Sequence, residues 1–261
     1  MIDLHTHVLP GIDDGPDEIG ESVELLRAAA EQGTTLMAAT PHLRSDHPLV
    51  RPDELAAACD DLNARVPADL DISVVPAGEV DLSWAQHASD EELQLASFGQ
   101  RGSDLLVETP YGELTDTFEA LLFNVSVRGY RVLLAHPERN PSFQRDPRRL
   151  REIAARGVLL QITLPSLLRP DRRSRSRRLA HALVEERLAH NLASDCHSPG
   201  PWRAPALGVG LDALADHAEY AEWMVTDAPA AILAGEPLPP APDTGSRPRR
   251  RLRLPGLPRR S

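Results

Sequence analysis

The chain alternates short apolar or β-branched runs with longer segments of helical periodicity, and this alternation constrains the fold more than any other feature. About seven runs of the strand type occur, and helical patterns separate most of them. Strands that are joined through helices pair in parallel and bury both faces. The pattern therefore predicts an α/β fold whose parallel sheet closes as a distorted TIM-like barrel rather than staying open.

The predicted elements follow one another along the first 193 residues. The expected strands are 2–7, 36–40, 71–77, 104–108, 131–135, 158–163 and 191–193, and the expected helices are 17–32, 53–66, 116–128, 146–156 and 173–190. We interpret residues 84–102 as a polar excursion without assigned structure. A Gly-x-Gly-x-x-Gly pattern follows none of the strands, so a dinucleotide-binding fold has no support.

Charge divides the sequence into an acidic body and a basic tail. The 261 residues have a net charge of −11, yet residues 237–261 carry seven Arg and one Asp. We therefore expect one domain over residues 1–236 and a disordered Pro/Arg-rich tail over 237–261, with at most a weak contact to an anionic membrane. An acidic body argues against nucleic-acid binding.

Residue usage excludes several chemistries and compartments. All 28 basic residues are Arg, so Schiff-base catalysis, a P-loop lysine and a carboxylated-lysine metal bridge are impossible. Cys59 and Cys196 form no disulfide framework. An apolar segment of about 18 residues or a signal sequence is absent, which predicts a soluble, cytoplasmic protein.

Histidines and carboxylates gather at six of the predicted strand ends. In an α/β barrel these ends and the loops after them form the functional face. His5 and His7 would project together, because side chains two residues apart on a strand share a face. The candidate metal ligands are His5, His7, Asp14, His42, Glu79, Glu108, His136, Asp195 and His197.

The chemistry of this set favours borderline-hard divalent ions, because imidazole and carboxylate are mixed without a thiolate set. Nine groups are too many for one ion and enough for two or three. A carboxylate such as Glu79 can bridge two ions, and a water held between them has a lowered pKa. The site would then generate its own nucleophile near neutral pH.

Neither cysteine fits a phosphatase nucleophile. Cys59 and Arg65 have the C-x5-R spacing, but the residues between them include two acids and no glycine to expose backbone N–H groups. Cys59 lies on a predicted helix, and Cys196 should point away from the metals that Asp195 and His197 would bind.

The sequence resembles the PHP (polymerase and histidinol phosphatase) superfamily, and within it the manganese-dependent tyrosine-protein phosphatases of bacterial capsule and exopolysaccharide clusters. The resemblance rests on MIDLHTHVLPGIDDGP, ATPH, PAGEVDL, LVETPY, LAHPERN and LASDCHS, in that order across residues 1–235. It implies a (β/α)7 barrel of the PHP fold. It also implies two or three Mn²⁺ ions, with Fe²⁺ or Zn²⁺ as alternatives.

The same resemblance distributes the ligands over three ions and assigns two arginines to the phosphate. The implied sets are His5, His7, Glu79 and Asp195; Glu79, Glu108 and His136; and Asp14, His42 and His197. Arg139 would bind phosphate, and Arg203 is a second candidate whose spacing is offset. The implied reaction is hydrolysis of phosphotyrosine by a metal-bridging hydroxide, on a protein substrate such as a bacterial tyrosine kinase of polysaccharide synthesis.

Other interpretations stay open at this level. The same fold and metals would suit a small phosphate ester such as histidinol phosphate, and an amidohydrolase or a metal-bound regulatory protein of polysaccharide assembly are further alternatives. Asp13 is expected to shape the turn while Asp14 binds metal. Glu138 is an alternative ligand to His136, but the two favoured roles are a local ion pair or the orientation of Arg139. His47 either contacts the substrate or is a solvated loop residue. Tyr111 and Trp202 either line the pocket or only pack the loops. The residues expected at the surface are His87, His181, His190 and His217.

Overall fold

The computed structural model describes residues 1–200 and 203–242. Its strands are β1 (Ile2–Thr6), β2 (Leu36–Ala39), β3 (His42–Leu43), β4 (Ser73–Pro76), β5 (Glu79–Val80), β6 (Asp104–Glu108), β7 (Arg131–Ala135), β8 (Leu159–Thr163) and β9 (Asn191–Ala193). Its helices are α1 (Ile19–Glu31), α2 (Leu55–Asn63), α3 (Leu82–His87), α4 (Asp90–Ala96), α5 (Phe118–Val127), α6 (Pro141–Arg145), α7 (Arg148–Ala155), α8 (Leu164–Leu167), α9 (Arg175–Glu185), α10 (Leu207–Ala213), α11 (Ala218–Val225) and α12 (Asp227–Ala234).

The strands form two parallel sheets, which confirms the predicted α/β class. One sheet has the order β1-β2-β4, and the other has the order β3-β5-β6-β7-β8-β9. Two residues separate the end of β2 from the start of β3, and two residues separate the end of β4 from the start of β5. The bonds from Ala77 N to Ala39 O (2.9 Å) and from Glu79 N to Pro41 O (3.0 Å) continue the pairing across these breaks.

Backbone hydrogen bonds also join the first strand to the segment after the last one. Asp195 N donates to His5 O (2.9 Å), and His7 N donates to Cys196 O (2.9 Å). The two ends of the strand series therefore lie side by side. The carboxyl ends of β1 and β9 meet at the same place as a result.

The buried apolar residues form two clusters between and around these layers. The larger cluster joins the strands to the helices, for example through Leu25 and Leu26 of α1. The smaller one unites Leu4, Leu106 and Leu133 of three strands with residues from α12 and the segment after α4. Burial of such side chains contributes about 1.5–3 kcal/mol each, which holds the strand ends rigidly. In the part of the chain that is described, no helix is long and apolar enough to cross a membrane.

The structure departs from the predicted elements in several respects. It contains elements that were not predicted, namely β3, β5, α6, α8 and α10 to α12. Residues 84–102, interpreted as a polar excursion, contain most of α3 and all of α4. The helix predicted over 173–190 ends at Glu185, because Arg187 adopts a left-handed φ of 56°. His190 was expected at the surface; it is half-buried, and its Nδ1 accepts a hydrogen bond from Leu160 N (3.1 Å).

The predicted tail falls mostly outside the described residues. Of 237–261, the structure describes 237–242, where Leu238 packs against the core and Pro242 O accepts a hydrogen bond from Arg187 (2.6 Å).

Candidate metal centre

All nine predicted ligands meet at the carboxyl ends of the strands. Six strand ends contribute these residues. The residues meet because parallel strands present their carboxyl ends along one edge. Asp14 reaches the cluster from the loop after β1, and its side chain is 47% exposed, whereas the other eight are buried. The ligand atoms form four groups: His7, Asp14, His42 and His197; His5, His7 and Asp195; His5, Glu79 and His136; and His42, Glu79 and Glu108.

Glu79 lies at the centre of this cluster. Its Oε1 is 2.9 Å from His136 Nε2, while its Oε2 is 2.9 Å from His42 Nδ1 and 3.3 Å from His5 Nε2. One carboxylate therefore contacts three imidazoles from three strand ends. Such a position suits a group that bridges neighbouring cations.

Three polar atoms of the cluster lie close to opposite charges without making a hydrogen bond of good geometry. His42 Nδ1, Glu79 Oε2 and His197 Nε2 are buried, and none of them has such a bond among the described residues. Buried polar groups are nearly always paired, so several orphaned atoms that converge on one region indicate a missing ligand. Nitrogen and carboxylate donors without thiolate fit a divalent cation such as Mn²⁺, Fe²⁺ or Zn²⁺.

Three histidines direct their Nε2 lone pairs into the cluster, because each Nδ1 is bound elsewhere. His7 Nδ1 contacts Asp13 Oδ2 (2.6 Å), His5 Nδ1 contacts Gln161 Oε1 (2.7 Å), and His197 Nδ1 contacts a backbone carbonyl (3.0 Å). These partners accept hydrogen bonds, so Nδ1 carries the proton and Nε2 is free to bind metal.

Electrostatics keep the central carboxylates ionised. Burial opposes the charge on Glu79 and Asp195, but His5 and other cationic neighbours outweigh it and lower the pKa of both groups. Burial and the nearby Glu79 charge instead raise the pKa of Glu108. Burial, together with the neighbouring His197, lowers the pKa of His7 to about 4. Near pH 7 the centre therefore offers Glu79 and Asp195 as anionic carboxylates and His7 as a neutral imidazole, which are the forms that bind metals.

The IDDG turn after β1 holds the start of the cluster in place through hydrogen bonds of Asp13. Asp13 Oδ2 accepts from His7 Nδ1 and from His42 N (3.2 Å), and Asp13 Oδ1 accepts from Gly15 N (3.1 Å). A Cβ on Gly15 would lie 2.3 Å from His7 O, so only glycine lets the turn approach β1 this closely. Asp14 thereby reaches His197 Nε2 at 3.1 Å.

Asp13 is a positioning residue for His7 that sequence reasoning treated only as part of a turn. We expect Asp13→Ala to weaken metal affinity by about 10–100-fold, because the His7 ring would lose the acceptor that fixes its tautomer and orientation. Titration of metal against a competing chelator measures this change. The matched control is Asp17→Ala, an exposed acid of the same loop. Equal affinities for both variants would contradict the assigned role.

Two arginines border the cluster and share one carboxylate. Arg139 Nη1 donates to Asp195 Oδ2 (2.6 Å), and Arg203 Nη2 donates to Asp195 Oδ1 (2.8 Å). Arg203 Nη1 also lies 3.5 Å from Asp14 Oδ2, so the offset spacing still brings this residue to the site. Their guanidinium groups place positive charge where a phosphate would meet the metal ligands.

A buried network orients Arg139. Its Nη2 donates to Thr163 Oγ1 (2.8 Å), and Thr163 in turn donates through N and Oγ1 to Glu138 Oε1 (3.2 and 2.9 Å). Of the two roles considered for Glu138, the contacts are those of an orienting group acting through Thr163.

Backbone strain marks two of the ligand positions. His136 has φ 35° and Asp195 has φ 52°, in the left-handed region that bulky residues rarely adopt. Pro137 follows His136, and a residue before proline ordinarily takes an extended conformation. Strain of this kind persists where the surroundings enforce it and clusters at functional sites.

Arg44 is a further charged residue of the site that the sequence did not reveal. Its Nη1 contacts both oxygens of Glu108 (2.9 and 3.0 Å), across 64 residues of sequence. Two aromatic rings also face the cluster: His47 stacks on His42 (centroids 5.0 Å apart), and Tyr111, 60% exposed, lies 6.2 Å from the His136 ring. Trp202 lies outside the described residues.

Neither cysteine belongs to a ligand group within the described residues. Cys59 lies on α2, as predicted, and burial raises the pKa of its thiol to about 12. Burial also raises the pKa of Cys196 well above its usual value. Both thiols are therefore unsuited to nucleophilic attack at neutral pH.

The parallel α/β fold brings buried histidines and carboxylates together with two arginines at one edge, an arrangement whose chemistry suits divalent cations beside an anion. Residues 1–234 match the family described as capsular polysaccharide synthesis, CpsB/CapC, and the chain belongs to this family. The match confirms the resemblance that the sequence motifs indicated.

Individual relatives agree with the family assignment. The chain is 32% identical over 199 residues to the tyrosine-protein phosphatase YwqE of Bacillus subtilis, which covers 76% of this chain and 78% of that protein. It is 26% identical over 207 residues to the tyrosine-protein phosphatase CpsB of Streptococcus agalactiae serotype III, covering 76% and 83%.

A solved structure shows the same architecture. It comes from work on YwqE of Bacillus subtilis and CpsB of Streptococcus pneumoniae, which are described as unique metal-dependent tyrosine phosphatases. The TM-score is 0.78 at 29% identity, and the likeness covers 91% of this chain and 96% of the other.

Proposed function

We propose that this chain is a metal-dependent protein-tyrosine phosphatase. The observation that carries the proposal is the convergence of nine imidazole and carboxylate ligands with Arg139 and Arg203 at one strand edge. The phosphatase relatives support it. The proposed ligand sets are those that the sequence resemblance implied: His5, His7, Glu79 and Asp195; Glu79, Glu108 and His136; and Asp14, His42 and His197.

Different residues of this chain have different roles in phosphomonoester hydrolysis. Bound divalent ions, which we propose to be Mn²⁺, supply Lewis acidity and lower the pKa of water. Arg139 and Arg203 bind the phosphate oxygens through charge-assisted hydrogen bonds and neutralise the charge that spreads over them. Tyr111 lies beside His136 with its ring exposed, where it would stack on the phenyl ring of the substrate.

Phosphotyrosine makes a small demand on a general acid for its leaving group. The phenol of tyrosine has a pKa of about 10, so its oxygen leaves more readily than an aliphatic alkoxide. Phosphoserine and histidinol phosphate release such alkoxides, so their hydrolysis depends more on a general acid that protonates the leaving group. The class of protein substrate that we propose is a bacterial tyrosine kinase of polysaccharide synthesis, encountered in the cytoplasm.

We further propose that the two sheets close into a distorted (β/α)7 barrel. The bonds between β1 and the residues after β9, together with the continuation of β2 and β4 into β3 and β5, support seven strand positions around a ring. Residues 1–236 would then form one domain.

Comparison of three substrates tests the proposed function. After chelation and reloading with Mn²⁺, Fe²⁺ or Zn²⁺, we expect kcat/KM for a phosphotyrosine peptide to exceed that for the phosphoserine peptide of the same sequence by at least about tenfold, which corresponds to about 1.4 kcal/mol. Histidinol phosphate is the third substrate. Its preference over the phosphotyrosine peptide would overturn the proposal in favour of a small-molecule phosphatase.

A further inference from the structure

The connection from α8 into α9 is strongly basic, although the body of the protein is acidic. Residues 169–178 carry six arginines and one aspartate, whereas the whole chain has a net charge of −11. Five of these arginines have exposed side chains, and we call them the arginine rim: Arg169, Arg172, Arg173, Arg175 and Arg178.

Within the described part of the chain, the charges of the arginine rim are not used in ion pairs. Across residues 1–200 and 203–242, no carboxylate forms a salt bridge with any of its five guanidinium groups, whereas the arginines of α6 and α7 pair readily, as Arg145 does with Glu113 and Arg151 with Glu186. Unpaired cations on one face create a positive potential that reaches into solvent. The rim is therefore available to an anionic partner.

Backbone contacts hold the arginine rim in shape. Arg177, which is partly buried, donates through Nη1 to Leu167 O (2.5 Å) and Arg169 O (2.9 Å). Ser174 caps α9 by accepting a hydrogen bond from Arg177 N (3.5 Å). The loop thus presents its cations from a fixed frame, which lowers the entropy lost when a ligand binds.

The arginine rim adjoins the phosphate-binding end of the site. Gln144 Nε2 donates both to Arg139 O and to Ser176 Oγ, each at 3.1 Å, so a single side chain links the catalytic turn to α9. α9 also packs against that turn, residues 137–139. On the other side, α8 directly follows Thr163, the residue whose hydroxyl binds Arg139.

A concave surface extends from the arginine rim along α9. It is a shallow, open concavity of about 420 Å³ lined by Arg172, Arg177, Arg178, His181, Ala182 and Glu185. Glu185 is the one carboxylate of this lining. Three guanidinium groups therefore dominate the charge of the concavity.

We propose that the arginine rim binds acidic residues that flank the phosphotyrosine of a protein substrate. The proposal rests on the phosphatase function and adds a substrate preference to it. An extended peptide advances about 3.3 Å per residue, so side chains a few positions from the phosphotyrosine would reach the rim beside Arg139. The planar fork of arginine binds carboxylates through two hydrogen bonds. Because the rim is contiguous with the site, these observations favour a peptide over a membrane.

Kinetics on matched peptides test this preference. The substrates are a phosphotyrosine peptide with Asp and Glu on both sides, a neutral peptide of the same length, and p-nitrophenyl phosphate. We expect Arg172→Ser/Arg173→Ser to lower kcat/KM about tenfold on the acidic peptide, mainly through KM, and to leave the other two substrates unchanged. High salt should erase the preference of the unmodified protein.

A charge-matched variant serves as the control. Arg65→Ser/Arg156→Ser removes two exposed arginines, one in the segment between α2 and β4 and the other in the segment between α7 and β8. These segments enter the strands at their amino ends, whereas the site lies at the carboxyl ends. We therefore expect no change on any substrate. Equal losses of the rim variant on both peptides, or no preference in the unmodified protein, would overturn the proposal while the phosphatase function stands. Failure to hydrolyse all three substrates would instead refute the phosphatase function, and the proposal with it.

Binding to phosphatidylserine vesicles separates the peptide from a membrane. If the rim variant lost vesicle binding but kept unmodified kinetics on the acidic peptide, the rim would be a membrane surface and the proposal would be wrong. Retained vesicle binding together with the tenfold kinetic loss supports the peptide.

Discussion

Removal of divalent ions is expected to abolish phosphotyrosine hydrolysis, and Glu79→Gln is expected to reproduce the loss in the presence of metal. Glu79 contacts His136, His42 and His5 at 2.9–3.3 Å, so both of its oxygens serve the cluster. An amide lacks the negative charge and offers only one oxygen to a cation. We expect kcat to fall by about three orders of magnitude, the size that several kcal/mol of lost metal stabilisation implies.

The matched control for this variant is Glu186→Gln. Glu186 is a surface glutamate that pairs with Arg151, and its loss should leave kcat and metal content unchanged. Circular dichroism confirms folding, and elemental analysis gives the metal bound per chain. If Glu79→Gln retained both full activity and full metal content, the central role of this carboxylate would be refuted. If activity survived exhaustive chelation, the metal-dependent mechanism itself would fail.

The convergence of the candidate ligands could be anticipated because it follows from two simple periodicities. Strands recur with helices between them, and parallel strands present their carboxyl ends at one edge. His5 and His7 show the point: their Nε2 atoms lie 3.3 Å apart, as the two-residue spacing predicts. The strand over 104–108 and its Glu108 were likewise placed correctly.

The groups that orient the ligands could not be anticipated, because they depend on long-range contacts. Gln161 reaches His5 across 156 residues of sequence, and Arg44 reaches Glu108 across 64. Neither residue type signals such a role by itself. Asp13 differs, since it stands beside a predicted ligand, and a carboxylate that can accept the second ring proton of a metal-bound histidine is common in such sites.

One of the helices that were not predicted, α4, had a local signal in the sequence. Ser89 and Glu92 form a capping box, in which the Ser89 side chain accepts from Glu92 N and the Glu92 side chain binds Ser89 N. The spacing S-x-x-E before a helical run is a known start signal. The helix α4 was therefore predictable, whereas the end of α9 was not, because the left-handed φ of Arg187 has no glycine or proline to announce it.

Loss of Arg139 is expected to reduce catalysis while leaving the metals in place. Arg139 holds Asp195 through Nη1 and Thr163 through Nη2, and these contacts aim its guanidinium plane at the cluster. We expect Arg139→Ala to lower kcat by about 10²–10³-fold, the usual cost of deleting one preorganised donor to transition-state charge. Arg139→Lys should recover little, because an ammonium group cannot make two parallel bonds to phosphate.

Product inhibition distinguishes binding of phosphate from a purely structural role. If Arg139 binds phosphate, inhibition by inorganic phosphate should weaken at least about tenfold in Arg139→Ala while metal content stays constant. If Arg139 only orients Asp195, metal content should fall instead, because Asp195 loses one of its two arginine partners. Arg145→Ala, which removes a surface arginine paired with Glu113, is the control and should behave as the unmodified protein. Unchanged kcat and unchanged phosphate inhibition in Arg139→Ala would refute the assignment.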